Sequence, residues 1–360
     1  MTDYPFDKRQ TNIAKGVATL LLLWHHLFYA HPNVYKRFTS LWMYTDSMPM
    51  EAQISRMCKV CVATFLLLSG YGLLKSWESR ARRTLGGEQY KMSVKQQLLF
   101  VKNHLIKLMS DYWLIFVIFV PMGICFGFNF WEKYQHSIRY AVTDFFGLAY
   151  FFHTPTMNDT WWFMSAIILL YLIFPLLMRA MRWSPEALVV VSFIAMKSTW
   201  LTELPCVGML FIWTPPFVLG MYFAHVNGLA RIERHANNWG KRIVLTVSLL
   251  YLGGLLKHYS GYQVYFDSIF ALAVVLFCYL VVSRIPFVRK GMEVLGSFSG
   301  LIFMFHTFIY HDYFRSFIYS FRYAPLIMLV LTLICLAVAV GLKYLKKLIR
   351  YDKLVALITK

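Results

Sequence analysis

Lys15, His25 and His26 are the residues whose types and positions first suggest chemistry. They lie in an apolar stretch that reads IAKGVATLLLLWHHLFY. An α-helix turns about 100° and rises about 1.5 Å per residue, so the path from Lys15 to His26 covers three turns plus roughly 20°, and about 16 Å. These two residues therefore share one helix face, and His25 points about 80° away. We predict a catalytic site formed by His26 with Lys15 and His25.

An imidazole at this position suits proton transfer or acyl transfer. A neutral histidine can accept a proton from a hydroxyl nucleophile or carry an acyl group itself. Ionisable groups inside a membrane span are costly and usually functional. The alternative is a lysine that snorkels at the membrane edge and a histidine that only hydrogen-bonds between helices.

Four other ionisable residues in or beside apolar runs are further candidates. His306, within LGSFSGLIFMFHTFIYH, is the other histidine that lies deep in such a run. Lys197, Glu203 and Asp267 are weaker candidates, since helix-end or interhelical pairing could account for them.

A second stretch, FLLLSGYGLLKSW, interrupts an apolar helix with small residues. Small residues allow another backbone, or a thin substrate, to approach closely. Helix packing and substrate binding both remain open for this stretch. Ser69, Gly70 and Tyr71 are therefore candidates for binding the donor, the substrate that supplies the group to be transferred.

The segment that follows is densely basic. A densely basic cytoplasmic loop is what the positive-inside rule produces in a membrane protein. The same basic side chains could also bind the phosphates of an anionic cytosolic donor. Density alone does not separate these two interpretations. The candidate donor-binding residues in this segment are Arg80, Arg82, Arg83, His104 and Lys107.

A further stretch begins at Asn158 and reads NDTWWFMSAIILLYLIFPLL. Trp161 and Trp162 suit the aromatic belt at a membrane interface. Asn158 and Asp159 equally suit sugar binding on the outer face. We predict that these four residues, together with His306, bind the acceptor.

The composition indicates a polytopic membrane protein. The 360 residues are 59% apolar, with a mean hydropathy of +0.53, and apolar runs of membrane-spanning length recur. A net charge of +19 would suggest nucleic acid for a soluble chain. Here the basic residues fall mostly in short loops, which indicates topology, so we expect a lipid bilayer and no nucleic acid as partner. Cys58 and Cys61 have no second pair or histidine cluster, so we predict no metal site.

We predict a single all-α membrane domain over 1–360 with ten transmembrane helices. The predicted spans are 13–30, 57–77, 112–128, 161–178, 188–201, 209–224, 243–256, 265–283, 298–310 and 325–342. The segment 138–152 is short and carries Arg139 and Asp144, so we predict a re-entrant or surface helix there. With ten spans, most of the 36 lysines and arginines lie on the side of the N-terminus, which predicts that both termini are cytoplasmic.

Taken together, these stretches resemble the integral-membrane acyltransferase-3 family, ten-span bacterial proteins that mostly O-acetylate cell-surface polysaccharides. The matching pieces, in family order, are Lys15 with His26, FLLLSGYG at 65–72, WWFMSAIILLYLIFPLL at 161–177, FVLGMYFA at 217–224 and LGSFSGLIFMFHTF at 295–308. The resemblance implies that acetyl-CoA binds on the cytoplasmic side, that His26 is essential and that the acceptor hydroxyl lies outside.

The chain departs from the family pattern at two places. The family prefers Arg where Lys15 stands, and lysine keeps the charge but loses the bidentate fork. Before the third span the family usually has paired Arg and then Pro, whereas this chain has His104, Lys107 and Ser110. The second departure removes the paired arginines that would bind the phosphates of CoA at this position in the family.

We therefore predict an O-acetyltransferase of the bacterial plasma (inner) membrane. It would move an acetyl group from acetyl-CoA, or another acyl group from its acyl-CoA, to a hydroxyl of an extracytoplasmic glycan. The alternatives are a transporter or flippase for a lipid-linked sugar and a non-catalytic subunit of a polysaccharide exporter. The sequence shows no inverted repeat or paired broken helices of the kind transporters favour. A homodimer, and the choice between direct transfer and an acyl-histidine, stay open.

Overall fold

The computed structural model describes residues 6–29, 31–85, 92–127 and 129–359, without the side chains of residues 83–85. The described chain is predominantly helical. The helices of its first half are α1 (Lys8–Leu27), α2 (Pro32–Tyr35), α3 (Met50–Cys58), α4 (Val60–Leu85), α5 (Val94–Cys125), α6 (Phe130–Lys133), α7 (Ile138–Phe145), α8 (Trp162–Trp183) and α9 (Pro185–Lys197). Those of its second half are α10 (Thr199–Thr202), α11 (Gly208–His225), α12 (Gly228–His235), α13 (Trp239–Tyr259), α14 (Asp267–Leu280), α15 (Pro286–Ser297), α16 (Ser299–Thr307), α17 (Arg315–Tyr319), α18 (Ala324–Leu348) and α19 (Tyr351–Ile358).

Short 3₁₀ and π-helical turns and one small hairpin complete the secondary structure of the described residues. The 3₁₀ turns are Asp159–Trp161, Val264–Phe266 and Val282–Arg284, and a π-helical turn, Phe308–Tyr313, extends α16. Strands β1 (Met43–Thr45) and β2 (Met48–Pro49) pair antiparallel. The hairpin lies outside the all-α prediction, and two residues are enough to join its strands.

Six described helices are long and apolar enough to cross a bilayer. They correspond to Met50–Arg82, Val94–Cys125, Asp159–Trp183, Trp239–Tyr259, Val264–Arg284 and Ala324–Leu348. Two further helix pairs qualify only when each pair is taken as one bent span, α11 with α12 at 68° and α15 with Ser299–Tyr313 at 66°. The chain is therefore a multi-pass membrane protein with six to eight candidate spans among its described residues.

The two bent pairs correct the expectation that the chain has no paired broken helices. The second bend falls where Gly296 and Ser297 follow each other at the end of α15. Glycine and serine pairs are among the usual causes of sharp kinks in helices. Because two bent pairs are present, a transporter is no longer disfavoured on this ground for this chain.

Two of the ten predicted spans do not meet the same criterion. Helix α1 forms as expected, but Gln10, Asn12, Lys15 and the histidine pair make it less apolar than the six. Helix α9 has 13 residues, which is about 20 Å and shorter than a hydrocarbon core of about 30 Å. The segment predicted as a re-entrant or surface helix forms only α7, which is too short to cross a bilayer. Ten spans and cytoplasmic termini stay predictions.

Contacts divide the chain into two compact units. The first unit comprises residues 1–65 and 229–343, and the second comprises residues 66–228 and 344–360. In the first unit α1 packs chiefly against α15 and also touches α3, α14 and α16. Both ends of α1 are tied down, since Asp7 accepts a hydrogen bond from the Gln10 N–H at 2.9 Å and the Tyr319 hydroxyl donates to the Leu27 carbonyl at 2.6 Å.

Helices α1 and α15 approach so closely that their contact requires glycine. A Cβ on Gly16 would lie 2.1 Å from the carbonyl oxygen of Met292. A Cβ on Gly296 would lie 1.8 Å from the carbonyl oxygen of Asn12. Because each glycine meets the backbone of the opposite helix, no side-chain rotation can relieve such a clash. This backbone contact positions the helix that carries Lys15 and His26.

In the second unit, α4 and α11 are joined by a similar glycine contact. A Cβ on Gly70 would lie 2.0 Å from the Phe217 carbonyl oxygen, and one on Gly220 would lie 1.9 Å from the Leu67 carbonyl oxygen. Gly70, a candidate donor-binding residue, is therefore occupied by helix packing. At Gly72, two positions later, an added Cβ would have no described atom within 4 Å.

We expect Gly70→Ala to destabilise the protein and Gly72→Ala not to. Overpacking at Gly70 should cost about 1–3 kcal/mol, whereas at Gly72 the better helix propensity of alanine should gain about 0.5–1 kcal/mol. Apparent melting temperatures of the two purified variants in one detergent would measure the difference. Equal melting temperatures would contradict the proposed contact.

Candidate functional site

His26 lies in a cluster of aromatic and histidine rings in the first unit. Its ring centroid is 5.0 Å from that of His25, 5.0 Å from that of His306 and 6.4 Å from that of Tyr310. The side chain of His26 is half-buried, whereas His25 and His306 are buried. The structure thus brings His306, which is distant in sequence, into contact with the predicted catalytic residue.

The proton positions of two of these histidines follow from their partners. His25 Nδ1 is 2.8 Å from the carbonyl oxygen of Ser55. His306 Nδ1 is 3.0 Å and 2.9 Å from the carbonyl oxygens of Ile302 and Phe303. Because a carbonyl oxygen only accepts, each Nδ1 carries the proton and donates it. The Nε2 atom of His306 is left as a buried acceptor with no hydrogen-bond partner within the described residues.

His26 differs from both neighbours because its ring makes no hydrogen bond to any described residue. Both of its nitrogens are therefore open to a substrate or to a change of tautomer. The π-helical turn Phe308–Tyr313 begins two residues after His306, and the ring of Tyr310 stacks on that of His306 with centroids 6.1 Å apart. Turns of this kind occur frequently at functional sites.

Lys15 is half-buried on the same helix. Its side chain forms no ion pair with the carboxylates of the described residues, while its backbone carbonyl accepts from the Thr19 hydroxyl at 2.8 Å. Ala18, Thr19 and Leu22, which lie between Lys15 and His26 on that face, are all buried. The ammonium group is a partly desolvated cation that an anionic ligand would neutralise.

Some of the predicted donor-binding residues of α4 and α5 line one cavity of the second unit, here called the basic pocket. It has a volume of about 370 Å³ and is lined by Ser76, Arg80, Phe100, Asn103, His104 and Lys107. His104 Nδ1 donates to the Phe100 carbonyl at 2.9 Å, so its Nε2 accepts from the Ser76 hydroxyl at 3.4 Å. The side-chain oxygen of Asn103 is buried without a hydrogen-bond partner in the described chain.

The remaining predicted donor-binding residues lie elsewhere. Arg82 pairs with Glu78 at 4.0 Å, and Ser69 hydrogen-bonds Tyr171. Tyr71 is buried. Arg83 lies outside the residues whose side chains the structure describes. Of this group, Arg80, His104 and Lys107 are brought together by the basic pocket.

The predicted acceptor-binding residues of the second unit have mostly structural contacts. The side-chain oxygen of Asn158 caps the turn before α8 by accepting from the Thr160 N–H at 3.0 Å. Trp161 is buried against Tyr112, with ring centroids 4.8 Å apart. Asp159 is exposed, and the half-buried Trp162 stacks on Trp213 at 5.2 Å. Asp159 and Trp162 therefore offer the more accessible contacts to a sugar.

Asp144, which entered the sequence argument only as a reason against a span, anchors the segment between α5 and α8. Its carboxylate accepts from the Tyr134 hydroxyl at 2.6 Å, the Thr156 hydroxyl at 2.8 Å and the Met157 N–H at 2.7 Å. The Tyr112 hydroxyl donates to its backbone carbonyl at 2.5 Å. Burial raises the pKa of Asp144 to about 6, although these donors oppose the rise.

This carboxyl group predicts a pH-dependent stability. The pKa of Asp144 is about 6 in the folded state against an ordinary value of 3.8, so its favourable contribution is complete below pH about 4 and is lost as the pH rises through 6. Two pKa units correspond to about 3 kcal/mol. We expect the apparent melting temperature of the wild type to fall between pH 4 and 8 relative to Asp144→Asn. A difference that is flat or rises with pH would contradict this assignment.

A buried ion pair joins α13 and α14 in the first unit. Lys257 pairs with Asp267, and both side chains are inaccessible to solvent. The sequence singled out Asp267 as a weaker candidate because interhelical pairing could account for it, and pairing is what the structure has. No feature of the sequence singled out Lys257, because a lysine at the end of an apolar run is common in membrane proteins.

A comparison with known protein families decides the class of this protein. A family model described as an acyltransferase domain, Acyl_transf_3, matches residues 10–344. The chain belongs to the acyltransferase-3 family. This confirms the resemblance and makes the protein a membrane acyltransferase. No curated protein and no solved structure matches the chain.

Proposed function

We propose that this acyltransferase moves an acetyl group from cytosolic acetyl-CoA to a hydroxyl of an extracytoplasmic glycan in the bacterial inner membrane. The observation that carries the proposal is His26, a half-buried imidazole inside a histidine cluster, with neither ring nitrogen bonded to a described residue. A base needs one ring nitrogen whose lone pair is not engaged by another protein group, and His26 meets that condition. Family membership supports acyl transfer as the reaction.

In the direct route, His26 acts as the general base. The acceptor hydroxyl oxygen attacks the thioester carbonyl carbon while a ring nitrogen of His26 takes the hydroxyl proton. The carbon–sulfur bond then breaks, and the departing CoA sulfur receives that proton from the imidazolium. In the alternative route a ring nitrogen of His26 attacks the thioester carbonyl carbon, the carbon–sulfur bond breaks, and CoA leaves as the thiol with the proton of the other ring nitrogen. The acceptor hydroxyl then attacks the acyl-histidine, the carbon–nitrogen bond breaks, and the imidazole takes up the hydroxyl proton.

His306 suits a positioning role beside His26. Its Nδ1–H is held by backbone carbonyls, so Nε2 can only accept. A hydrogen bond from His26 to this nitrogen would select one His26 tautomer and leave the other nitrogen as the base. Because His306 is fully buried, positioning fits it better than the direct acceptor contact predicted from sequence.

The basic pocket is the proposed site for the donor's pyrophosphate. Arg80 and Lys107 supply charge, and the Ser76 hydroxyl and Asn103 amide supply neutral hydrogen-bonding groups. Lys15 is a further cation for an anionic group of the donor. Asp159 and Trp162 are the proposed sugar contacts, since a carboxylate can accept from hydroxyls and an aromatic face packs against a sugar ring.

The test is an assay of purified protein with acetyl-CoA labelled in the acetyl group, with and without a glycan extract. Acceptor-dependent release of CoA, with label appearing on the glycan, would support the proposal. The two bent helix pairs are the observation that favours a transporter as second candidate. Tight binding of a sugar lipid without any turnover of acetyl-CoA would favour that second function and contradict the first.

A further inference from the structure

A second cavity lies beside the basic pocket in the second unit and is here called the tryptophan pocket. It also has a volume of about 370 Å³ and is lined by Trp77, Met92, Gln97, Pro175, Met178, Arg179 and Arg182. This volume falls within the range of small-molecule sites, about 300–1,000 Å³. The predictions from sequence assigned no function to these residues.

Two touching rings separate the two cavities. Trp77 lines the tryptophan pocket, Phe100 lines the basic pocket, and their ring centroids are 5.0 Å apart. Helix α4 contributes Ser76 to one cavity and the adjacent Trp77 to the other. Helix α5 likewise contributes Gln97 to one and Phe100, one turn later, to the other. The two cavities are therefore neighbours on the same pair of helices.

The tryptophan pocket has an unsatisfied hydrogen-bond donor. The indole N–H of Trp77 is buried and has no acceptor within the described residues, and the whole side chain is only 2% exposed. A buried donor without a partner is costly, and most such groups in proteins are paired. An anionic ligand oxygen would supply the missing acceptor.

The two arginines of this pocket also have no acidic partner among the described residues. Arg179 and Arg182 lie one turn apart near the end of α8, and neither forms an ion pair with a described carboxylate. Other arginines in the described chain do so, as Arg284 does with Glu233 and Arg9 with Glu293. Two guanidinium groups one turn apart are well placed for the bidentate recognition of phosphate.

We propose that the tryptophan pocket binds the terminal phosphate monoester of the donor nucleotide, the 3′-phosphate of CoA, while the basic pocket binds the pyrophosphate. This inference rests on the proposed use of acyl-CoA. CoA carries both anionic groups on one ribose, the phosphate at O3′ and the pyrophosphate at O5′, so two neighbouring cationic subsites would hold them. Two adjacent basic cavities divided by aromatic rings match that distribution.

The test compares the binding of CoA and 3′-dephospho-CoA to the full-length protein in detergent. We expect the wild type to bind CoA more tightly by on the order of 10-fold or more, the scale of charge-assisted hydrogen bonds to phosphate. In the double variant Arg179→Gln with Arg182→Gln, this ratio should fall to about one, because only CoA loses an interaction. Trp77→Phe, which keeps the ring and removes the N–H, should lower the ratio by a smaller factor.

Arg80→Gln is the matched control from the basic pocket, and it should weaken both nucleotides equally and leave the ratio unchanged. A ratio that persists in the double variant would overturn the inference while leaving acyl-CoA as the donor. If the double substitution instead lowers binding to vesicles that contain anionic lipid and leaves the CoA ratio intact, the pocket binds a lipid phosphate and the inference is wrong. If the wild type neither binds nor turns over either nucleotide, the proposed function fails together with the inference.

Discussion

Replacing His26 by alanine should abolish most acyl transfer, with a fall in kcat of about 10²–10⁴-fold, the range that general acid–base catalysis supplies. The reason is that His26 is half-buried with both ring nitrogens free of described partners, whereas His25 and His306 are buried, so His26 is the histidine of the cluster that a hydroxyl can reach. His26→Gln should fall equally, since an amide fills similar space but cannot accept the proton. Single-turnover rates with labelled acetyl-CoA would measure kcat separately from donor binding.

His25 is the internal control for this prediction. His25→Ala should lower stability, because it removes the hydrogen bond to the Ser55 carbonyl at 2.8 Å and leaves a buried acceptor unpaired, at about 1–3 kcal/mol. Activity per folded molecule should nevertheless exceed that of His26→Ala. Equal losses in the two variants, after correction for folded protein, would refute His26 as the catalytic residue.

The second large effect should come from Gly296→Ala, which we expect to destabilise the protein by about 3 kcal/mol or more. Its added methyl group would lie 1.8 Å from the backbone oxygen of Asn12, so helices α1 and α15 would have to separate, and overpacking without side-chain relief falls at the upper end of its usual cost. Acyl transfer should fall as well, because α1 carries His26, the proposed catalytic residue.

Gly291 provides the matched control on the same helix, since no described atom lies within 4 Å of an added Cβ there. Gly291→Ala should leave activity unchanged and raise the apparent melting temperature slightly, as alanine favours helix by about 1 kcal/mol over glycine. Detergent-resistant folded yield and melting temperature would be measured for both variants. If Gly296→Ala melts no lower than Gly291→Ala, the close contact between α1 and α15 does not exist.

Several features were predictable because they depend on composition and short spacing. Apolar runs of spanning length indicated a helical membrane protein, and the order of five stretches identified the family that the family model confirms. The helical spacing of Lys15, His25 and His26 was sufficient to single out one helix. Segment ends were less predictable, since α4 and α5 extend well beyond their apolar parts as helices.

Roles that depend on distant partners were not predictable in the same way. The sequence FLLLSGYG allowed either helix packing or substrate binding at Gly70, and only the position of the Phe217 carbonyl assigns it to packing. Asp144 counted only as an obstacle to a span, whereas the structure places donors from Tyr134, Thr156 and Met157 around its carboxylate. Neither partner set follows from local periodicity.

By itself, the sequence determined that this is a helical membrane protein and which helix carries the histidine pair, because hydropathy and helical spacing are properties of neighbouring residues. Its acyltransferase class followed from the resemblance to a family, which the family model confirms. Only the tertiary structure decided that His306 lies against His26, that glycines form the contact between α1 and α15, and that two basic cavities flank Trp77 and Phe100. These contacts join segments far apart in the chain, and their geometry depends on how helices pack, which no local pattern encodes.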